Sequence, residues 1–436
     1  MQRLLPFAAV LLAISCAPKK EPKVVYHHTG KMINPDSTIY IVFMRPAFFT
    51  PFEEGLKGDT LDQKNVESKK LKHVLDYVKN FKPDIRPSAI QVDPGPSFTI
   101  KLDSASAAKM SRDTENVELM EEDFDVHNAD PSIEGRPIQQ GKPIQQGEPY
   151  LISTGGDDWK TCAVVVAGSD GTAGSKTIWI IDTGITPHPG VLNIDAARSN
   201  NFVTPGATTE DDNGHGTHVA GIAGGGTVVF TDDHGRRYNI NIGVAPMAPL
   251  VALKVLKADG SGKYNDVHHA FQWIKNHSAK SGDIINLSLG GKCADCAKES
   301  PSLLKDLDQA AKYGFYVVMA AGNDNGDANT NFPGCYSGNT NLFTVGALDC
   351  NKACASYSNF GAPPVDFVEV GSQVFSTYMN DPVTHAQQYA ILSGTSMSAA
   401  VMSGVLQATD GPYSILTIAS SCTQTGVTYK IARKSP

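Results

Sequence analysis

The sequence predicts an α/β fold built on a parallel sheet, preceded by a smaller α+β domain. From about Tyr150 onward, short apolar runs such as "TIWIIDTG", "LVALKVL" and "DIINLSLGG" recur. Helical stretches such as "DVHHAFQWIKNH" separate several of these runs, which is typical of a parallel sheet covered by helices on both faces. The length of 436 residues also favours two domains over one.

The first residues predict an export signal. Arg3 precedes an apolar run from Leu4 to Ile14, which is too short to span a bilayer. The stretch "LLAISCAP" resembles a bacterial lipoprotein signal, with Cys16 as the residue that is lipidated after cleavage; the alternative is a plain signal peptide with an incidental cysteine. Residues 1–16 are therefore interpreted as the signal, and the polar, Lys- and Pro-rich residues 17–36 as a tether.

Composition and cysteine content narrow the function classes. Hydrophobic residues make up 41% and charged residues 19%, as in core-forming proteins, and the net charge of -8 offers no footprint for nucleic acid. Export makes disulfides the default for the cysteines after Cys16, and their odd number leaves at least one outside an internal pair. A four-thiolate zinc site formed by "CADC" and "CNKAC" is the alternative. These cysteines are Cys162, Cys293, Cys296, Cys335, Cys350, Cys354 and Cys422.

Residues 37–127 predict a small α+β domain. The pattern reads strand ("TIYIVFMRP"), helix ("SKKLKHVLDYVKNF"), strand ("SFTIKLD"), helix opened by a serine cap ("SASAAKMSRD") and strand ("VELMEEDFDVH"). Residues 128–149 contain the tandem repeat "RPIQQGKPIQQG", which lacks apolar periodicity and predicts an exposed, easily cut linker. Residues 150–436 then form the α/β domain.

Three stretches of the α/β domain carry residues of catalytic type. Asp182 ends an apolar strand run in "WIIDTGI", where a carboxylate is costly unless it has a partner; a helix cap is the alternative. His215 lies between two glycines in "NGHGTHVAG", and His218 follows at a spacing that lacks the metalloprotease pattern. Ser396 in "SGTSMSAAVMSG" precedes a small-residue helix, as a nucleophile or as a simple cap.

Taken together, these stretches resemble the three signature blocks of the subtilases, in the order Asp, His, Ser. The blocks "GVAPMAPLVALKVLKADGSGKY", "INLSLGG", "VVMAAGNDNGDA" and "ASYSNFG" extend the resemblance, which is nearest to the proteinase K-like branch. The resemblance implies that Ser396 is the nucleophile, His215 the base and Asp182 its orienting carboxylate. Asn323 would donate to the oxyanion, and loss of such a donor in subtilisin costs about 10² to 10³ in turnover.

The resemblance also implies a substrate cleft formed by strand edges. An extended peptide would pair with two backbone segments, Gly260-Ser261-Gly262 and Ser288-Leu289-Gly290. Tyr264 would rim the pocket for the side chain four residues before the cut. The first pocket would be lined by Ala320, Ala321 and Gly322. Because no Asp or Glu matches a position on the pocket floor, we expect a preference for apolar or aromatic over basic side chains.

The same resemblance bears on calcium and on the helix after the nucleophile. Asp366 aligns with a position that binds calcium in some relatives, with a loop carboxylate as the alternative; no other cofactor is implied. The usual "APG" appears here as Glu369-Val370-Gly371. Ala400 stands where relatives carry proline, so we expect a straighter helix with more room near Ser396 and modest effects on turnover.

Residues 37–127 resemble the inhibitory prodomain of subtilases, which has a ferredoxin-like fold. The expected protein is therefore a three-layer subtilisin-like serine endopeptidase, made as a self-processing zymogen and exported from a bacterial cell. A lipid on Cys16 would hold the precursor at the membrane, and processing would release a periplasmic or extracellular enzyme that acts on peptides or proteins. The alternatives are a peptide ligase or transpeptidase using the same site, and a catalytically silent binding lipoprotein.

Overall fold

The fold is described from a computed structural model of the chain. The described residues are 24–25, 38–50, 63–93, 95–123, 125–128, 132–133, 138–139, 150–231, 237–294, 296, 301–381, 383–384 and 386–435. The predicted signal with Cys16 lies outside them, as do most of the predicted tether and linker. No helix among the described residues is long and apolar enough to cross a membrane.

The first part of the chain contains one sheet and, after it, three short strands. They are β1 (Val24–Val25), β2 (Thr38–Met44), β3 (Ile90–Val92), β4 (Ser97–Leu102), β5 (Val117–Glu122), β6 (Asp125–Asn128), β7 (Ser132–Ile133) and β8 (Ile138–Gln139).

Strands of the α/β domain account for the rest of the β-structure. They are β9 (Leu151–Gly155), β10 (Asp158–Thr161), β11 (Ile178–Asp182), β12 (Asn193–Ile194), β13 (Asn200–Asn201), β14 (Thr227–Thr231), β15 (Arg237–Asn241), β16 (Pro249–Lys254), β17 (Ser261–Lys263), β18 (Ile284–Leu287), β19 (Leu289–Lys292), β20 (Tyr316–Ala320), β21 (Asn331–Phe332), β22 (Leu342–Leu348), β23 (Val365–Val370), β24 (Val374–Tyr378), β25 (Gln388–Ser393), β26 (Ile415–Gln424) and β27 (Val427–Lys434).

Helices of the described residues follow the predicted apolar periodicity. They are α1 (Gln63–Val78), α2 (Ser104–Met110), α3 (Cys162–Val166), α4 (His215–Gly224), α5 (Tyr264–Asn276), α6 (Pro301–Lys312) and α7 (Thr395–Ala408), with single 3₁₀ turns at Pro87–Ala89, Ala328–Thr330 and Pro412–Ser414.

The α/β domain has the predicted parallel sheet between two layers of helices. The strand order is β12-β16-β11-β18-β20-β22-β23, with β13 also on β16, and every pair in this sheet is parallel. Ile178 and Ile180 of β11 belong to the core cluster that contains α4 and α7. Trp179 and Ile181 belong to the cluster that contains α5 and α6, so successive side chains pack against opposite layers.

The N-terminal domain forms a mostly antiparallel sheet in the order β1-β5-β2-β4-β3, with α1 and α2 as its helices. The chain order β2-α1-β3-β4-α2-β5 is that of a split βαβ arrangement. Two details differ from the sequence prediction. Val24 and Val25, placed in the tether, pair with β5. Helix α2 is capped by Asp103, whose Oδ1 accepts the Ser106 N–H at 2.8 Å, and not by a serine.

The N-terminal domain contacts the α/β domain at the N-terminal ends of two helices. Glu121 accepts the backbone N–H of Ser302 at 2.8 Å on α6. Asp123 accepts that of Asn265 at 2.7 Å on α5. Both carboxylates therefore cap helices of the other domain, at the end where the helix dipole favours negative charge.

The cysteines divide into two disulfides and one group of three. Cys162 bonds to Cys350, and Cys354 bonds to Cys422. Both cysteines of "CNKAC" are therefore committed to distant partners, so the four-thiolate zinc site predicted as the alternative is wrong. The group of three consists of Cys293, Cys296 and Cys335.

The stretch expected to be a loop around Glu369 is the edge strand β23. Glu369 is fully buried and accepts the N–H of Ala432 on β27 at 2.8 Å through Oε1, while Oε2 has no hydrogen-bond partner among the described residues. Burial raises the pKa of Glu369 well above its usual value, although the hydrogen bond from Ala432 opposes the shift. The shift favours the neutral, protonated form of the carboxyl, which attaches the C-terminal hairpin to the sheet.

Glu369→Gln is expected to stabilise the protein increasingly as pH rises from about 5 to 9, where the free carboxyl of an unfolded chain is ionised. Because the folded-state pKa is raised, the wild type keeps the full contribution of this group only below its unfolded pKa and loses it with rising pH. Thermal unfolding against pH, in a Ser396→Ala background that prevents self-digestion, measures the effect. The exposed Asp157→Asn is the control, and equal pH slopes in all three proteins would contradict the prediction.

Candidate active site

The first component of the site is a buried carboxylate at the carboxyl end of β11. Asp182 is the last residue of that strand and is 0% exposed. Its Oδ1 and Oδ2 lie 2.8 and 2.9 Å from Nδ1 of His215. Thr183 also donates its backbone N–H to Oδ1 at 2.7 Å. The carboxylate is thus held by hydrogen bonds and orients the imidazole, with the proton placed on Nδ1.

Close packing around His215 explains the glycines on either side of it. Gly214 has φ 104°, and a Cβ there would lie 2.3 Å from the ring of Tyr378. A Cβ on Gly216 would lie 2.2 Å from the carbonyl oxygen of Gly184 and 3.2 Å from Asp182. Only glycine permits this approach of α4 to the end of β11.

Asp211 holds the first turn of α4 and was missed in the sequence analysis. Its Oδ1 accepts the N–H of Gly214 at 2.9 Å. Its Oδ2 accepts the N–H and the hydroxyl of Thr217 at 2.9 and 2.7 Å. The signal was the acidic pair directly before "NGHG", since Asp is a preferred residue at helix starts.

The second histidine of this helix is structural. His218 is fully buried, and its Nε2 lies 3.1 Å from the carbonyl oxygen of Ala390. Burial is the main cause that lowers the pKa of His218 to about 3, so the ring stays neutral.

Ser396 lies in the first turn of α7, which begins at Thr395 directly after the extended Gly394. Its Oγ is 3.4 Å from the carbonyl oxygen of Ser288, which follows β18. In return the Ser288 hydroxyl donates to the carbonyl oxygen of Ser396 at 3.1 Å and accepts from Asn286 Nδ2 at 2.8 Å. Helix α7 packs against α4, which begins at His215.

Asn323 lies just beyond β20 and contacts the same helix start. Its side-chain oxygen accepts the backbone N–H of Thr395 at 2.8 Å and the hydroxyl of Thr395 at 2.9 Å. These two bonds fix the amide plane and turn the Nδ2 end away from Thr395. A fixed amide donor beside a helix N-terminus is suited to stabilise developing negative charge.

Asn359, in the block "ASYSNFG", supports the Asn323 loop. It donates from Nδ2 to the carbonyl oxygen of Ala321 at 3.0 Å. Its Oδ1 accepts the N–H groups of Asp324 and Gly326 at 2.9 and 3.0 Å. The block around Asn359 is part of the family resemblance, but no local signal indicates the role of this residue, because its partners are separated from it by more than 30 positions.

The predicted substrate segments flank the short strand β6, which continues from the N-terminal domain. β6 runs antiparallel between β17 and β19, pairing Val126 with Gly262 and His127 with both Ser261 and Gly290. Asn128 pairs with Leu289 and donates its N–H to the carbonyl oxygen of Gly260 at 2.9 Å. A peptide of this chain therefore occupies the predicted cleft in extended form.

Comparison with known proteins agrees with this geometry. The model of the subtilase family matches residues 174–410, which is more than half of the chain. The chain belongs to the subtilase family. It is 37% identical to M-protease of Shouchella clausii over 54% of this chain and 53% of that protein, and 37% identical to subtilisin BL of Lederbergia lenta over 53% of this chain and 75% of that protein. A cold-adapted subtilisin-like serine proteinase structure aligns over 62% of this chain and 92% of that one, with 28% identity and a TM-score of 0.49. The present chain spans about half the length of M-protease.

The remaining predicted binding residues lie directly after β17 and at the end of β20. Tyr264 is fully buried and donates its hydroxyl to Asp306 at 2.5 Å. Ala320 and Ala321 are buried at the end of β20, and Gly322 has φ 100° where a Cβ would lie 2.3 Å from Asn359 Nδ2. Tyr264 and Val126 belong to the same apolar cluster, which also contains Leu256 and Leu289.

Asp366, the calcium candidate, is part of β23 and not of a loop. Its Oδ2 accepts the backbone N–H of Thr344 on the neighbouring strand β22 at 2.9 Å. Among the described residues, the one cluster of three or more potential metal-ligating side chains is the cysteine group, which does not include Asp366. Calcium at this carboxylate stays a prediction.

Ala400→Pro is expected to change kcat by less than about threefold. Proline in a helix removes the N–H that bonds to the carbonyl oxygen four residues earlier. That carbonyl is Ser396, which also accepts the Ser288 hydroxyl. The double variant Ala400→Pro/Ser288→Ala removes both donors and is expected to lose about 1–3 kcal/mol of stability beyond the sum of the single variants.

The measurements are kcat, the ratio of hydrolysis to aminolysis with an added amine, and unfolding free energy of all four proteins. Ser288→Ala alone is the matched control. Strict additivity of the two single variants would show that the Ser288 hydroxyl does not substitute for the missing helix bond.

Proposed function

We propose that this subtilase is an exported serine endopeptidase made as a zymogen, with Asp182, His215 and Ser396 as its catalytic triad. The observation that carries the proposal is the buried Asp182–His215 hydrogen bond at the carboxyl end of β11, on the helix that packs against the Ser396 helix. A carboxylate that holds a histidine in one tautomer is what a serine nucleophile requires of its base.

In the proposed reaction, Ser396 Oγ attacks the carbonyl carbon of the scissile peptide bond while His215 takes its proton. His215 then donates the proton to the leaving amine, and the acyl group stays on Ser396 until water, activated by the same histidine, releases it. Asp182 stabilises the imidazolium that forms twice in this cycle. Asn323 and the backbone N–H of Ser396 donate to the oxyanion.

The N-terminal domain is proposed to act as the inhibitor of this site. β6 occupies the cleft through backbone pairing on both sides, and the side chain of Val126 is completely buried there. A substrate strand would need the same hydrogen bonds from β17 and β19. Occupation by β6 and binding of substrate are therefore mutually exclusive.

The register of β6 supports a proposed position for the cut. Asn128 pairs with Leu289 and His127 with Gly290, so one further step of this register would reach Ser288, whose carbonyl oxygen lies 3.4 Å from Ser396 Oγ. On the far side, Ser132 and Ile133 pair with Ser393 and Leu392 of β25, directly before the nucleophile. Extending the antiparallel register by one residue predicts cleavage after Ala129.

Export and lipidation complete the proposal. An apolar run ending at "AISC" precedes the described domains, and the lipid on Cys16 would anchor the uncut chain. Because Cys16 lies before the cut, processing would release the enzyme from the anchor unless the N-terminal domain stays bound.

Labelling by a fluorophosphonate probe tests the catalytic assignment. The processed protein is expected to react at Ser396, and Ser396→Ala is expected to abolish labelling and to lower kcat/KM on peptides by about 10³-fold or more. Ser398→Ala, two residues along the same helix, is the matched control. An unlabelled, correctly folded protein would instead support a binding function.

N-terminal sequencing of the mature protein tests the processing assignment. The first residue is expected to be Asp130, and Ser396→Ala is expected to remain full-length. Val126→Asp is expected to weaken inhibition by the separately added N-terminal domain by about 10-fold or more, because a buried apolar contact is replaced by a charge. A mature terminus outside residues 129–132 would contradict the register argument.

A buried charge network joins the two domains and makes their affinity dependent on pH. His268 on α5 lies 3.0 Å from Asp93 and 2.7 Å from Asp306. Ser97 Oγ also contacts His268, and the hydroxyl of Tyr264 donates to Asp306. Burial opposes the charged ring, but the two carboxylates raise the pKa of His268 to about 10. His269 also faces Asp93, at 3.4 Å. The complex therefore holds a proton that the separated domains hold less tightly.

Affinity of the cleaved N-terminal domain is expected to fall as pH rises from about 6.5 to 10. The sign follows from the raised pKa of His268, since binding that takes up a proton is lost when protons become scarce. Burial also raises the pKa of Asp123 to about 7, which acts in the same direction. The inhibition constant at each pH measures the effect. His268→Gln should flatten the profile above pH 7, whereas His277→Gln at the end of the same helix should not.

A further inference from the structure

Three cysteines converge beside the substrate cleft. The Sγ atoms of Cys293, Cys296 and Cys335 all lie within 4.8 Å of one another. Cys293 and Cys296 are buried and Cys335 is half-buried. Cys296 is paired with each of its two neighbours in the structure, so its Sγ lies next to both of theirs. A sulfur atom forms only one disulfide, so this group contains one disulfide and one thiol.

The other cysteines of the described chain cannot supply the missing partner. Cys162 and Cys350 form one disulfide, and Cys354 and Cys422 form another. The third thiol of the group therefore stays next to a disulfide, at a distance from which a thiolate can attack it.

We propose that this group is a thiol–disulfide exchange site in which Cys296 alternates between Cys293 and Cys335. The thiolate of Cys335 attacks Cys296 Sγ of the Cys293–Cys296 disulfide. The Cys335–Cys296 bond forms as the Cys296–Cys293 bond breaks, and the electron pair leaves on Cys293 Sγ, which takes up a proton. The exchange is neutral in oxidation state and needs no external oxidant.

The surroundings favour exchange over binding of a metal ion. Cys293, Cys296 and Cys335 pack in an apolar cluster with Phe332 and Tyr336. Lys292, the basic residue next to Cys293, is exposed and pairs with Asp324 at 2.9 Å. Three thiolates around a divalent metal ion would leave one net negative charge in this apolar cluster, whereas a disulfide and a neutral thiol carry none.

The position of the group connects it to the cleft. Cys293 directly follows β19, the strand that pairs with β6, and donates its N–H to Thr330. Cys335 donates its N–H to Asn331 and follows Gly334, where a Cβ would lie 2.5 Å from the carbonyl oxygen of Ala320. The segment between Asn331 and Cys335 thus packs between β19 and the wall of the first pocket at Ala320.

The two disulfides would act differently on this wall. A Cys296–Cys335 bond attaches the segment behind Ala320 and Ala321 to the end of β19. A Cys293–Cys296 bond closes only a short turn and leaves that segment held by hydrogen bonds, including the one from Thr344 Oγ1 to Gly334 at 2.9 Å. The exchange is therefore expected to change the rigidity of the first pocket, an inference that rests on the proposed function for its effect on catalysis.

Disulfide mapping tests the site without any need for activity. The full chain carrying Ser396→Ala is denatured in acid to stop exchange, alkylated with N-ethylmaleimide and mapped by mass spectrometry of its peptides. We expect one label per group, divided between Cys293 and Cys335, with Cys296 always in a disulfide. Labelling of the native protein is expected at Cys335 only, because Cys293 is 6% exposed.

Three results would overturn the proposal. They are a label on Cys296, a single labelled position under all conditions, and three labelled cysteines with stoichiometric release of zinc or copper on denaturation. The last result would assign a metal site instead.

Enzyme kinetics then measure the consequence. Cys293→Ser fixes the Cys296–Cys335 bond, and Cys335→Ser fixes the Cys293–Cys296 bond. For peptides with alanine or phenylalanine before the cut, we expect Cys335→Ser to raise KM several-fold and to change the Ala/Phe preference, and Cys293→Ser to resemble the more rigid form. The double variant Cys354→Ser/Cys422→Ser, which removes a remote disulfide, should lower the Tm and leave the preference unchanged.

Equal KM values and preferences in both single variants would refute the effect on the pocket. Inactivity of every protein, including the wild type, would instead count against the proposed function while the mapping result stands.

Discussion

The hydrogen bonds between Asp182 and His215 determine how this pair and the Ser396 turn can be brought together. A buried carboxylate at the end of a core strand is unfavourable unless charge or donors reach it. The Thr183 N–H is supplied by the next residue of the chain, but the imidazole reaches the carboxylate only because α4 approaches β11 with glycines on either side of the histidine. Once α4 is placed in this way, its packing against α7 sets where the Ser396 turn lies.

The neighbouring strand ends supply the rest of the site with little additional structure. Parallel strands present their carboxyl ends at one edge of a sheet, so residues after β11, β18 and β20 meet there. Asn359, Asp211 and the Ser288 hydroxyl then fix the loops by hydrogen bonds to backbone groups. These supporting groups are an amide, a carboxylate and a hydroxyl that satisfy backbone donors and acceptors, as expected where a loop must be rigid without secondary structure.

Much of this arrangement was predictable from the sequence, because apolar strand runs and glycine-flanked polar residues are local signals. The runs around "TIWIIDTG" and "LVALKVL" are β11 and β16. What could not be predicted depends on partners far apart in the chain, such as Asn359 with Ala321, or Glu369 with Ala432. The cap of α2 was misassigned to a serine because Asp103 and Ser104 are adjacent and both favour caps. Cysteine pairing was likewise open, since spacing alone does not fix connectivity.

The position of β6 would also set the kinetic order of the proposed maturation. Because β6 is continuous in sequence with the domain whose cleft it occupies, the uncut chain delivers its own scissile segment, and the first cleavage would be independent of protein concentration. After the cut, the same strand pairing joins two separate molecules, so its effective concentration falls from that of a tethered segment to that of the bulk solution. Dilution on leaving the cell would then be enough to shift the equilibrium toward the free enzyme, even though no contact in the interface has changed.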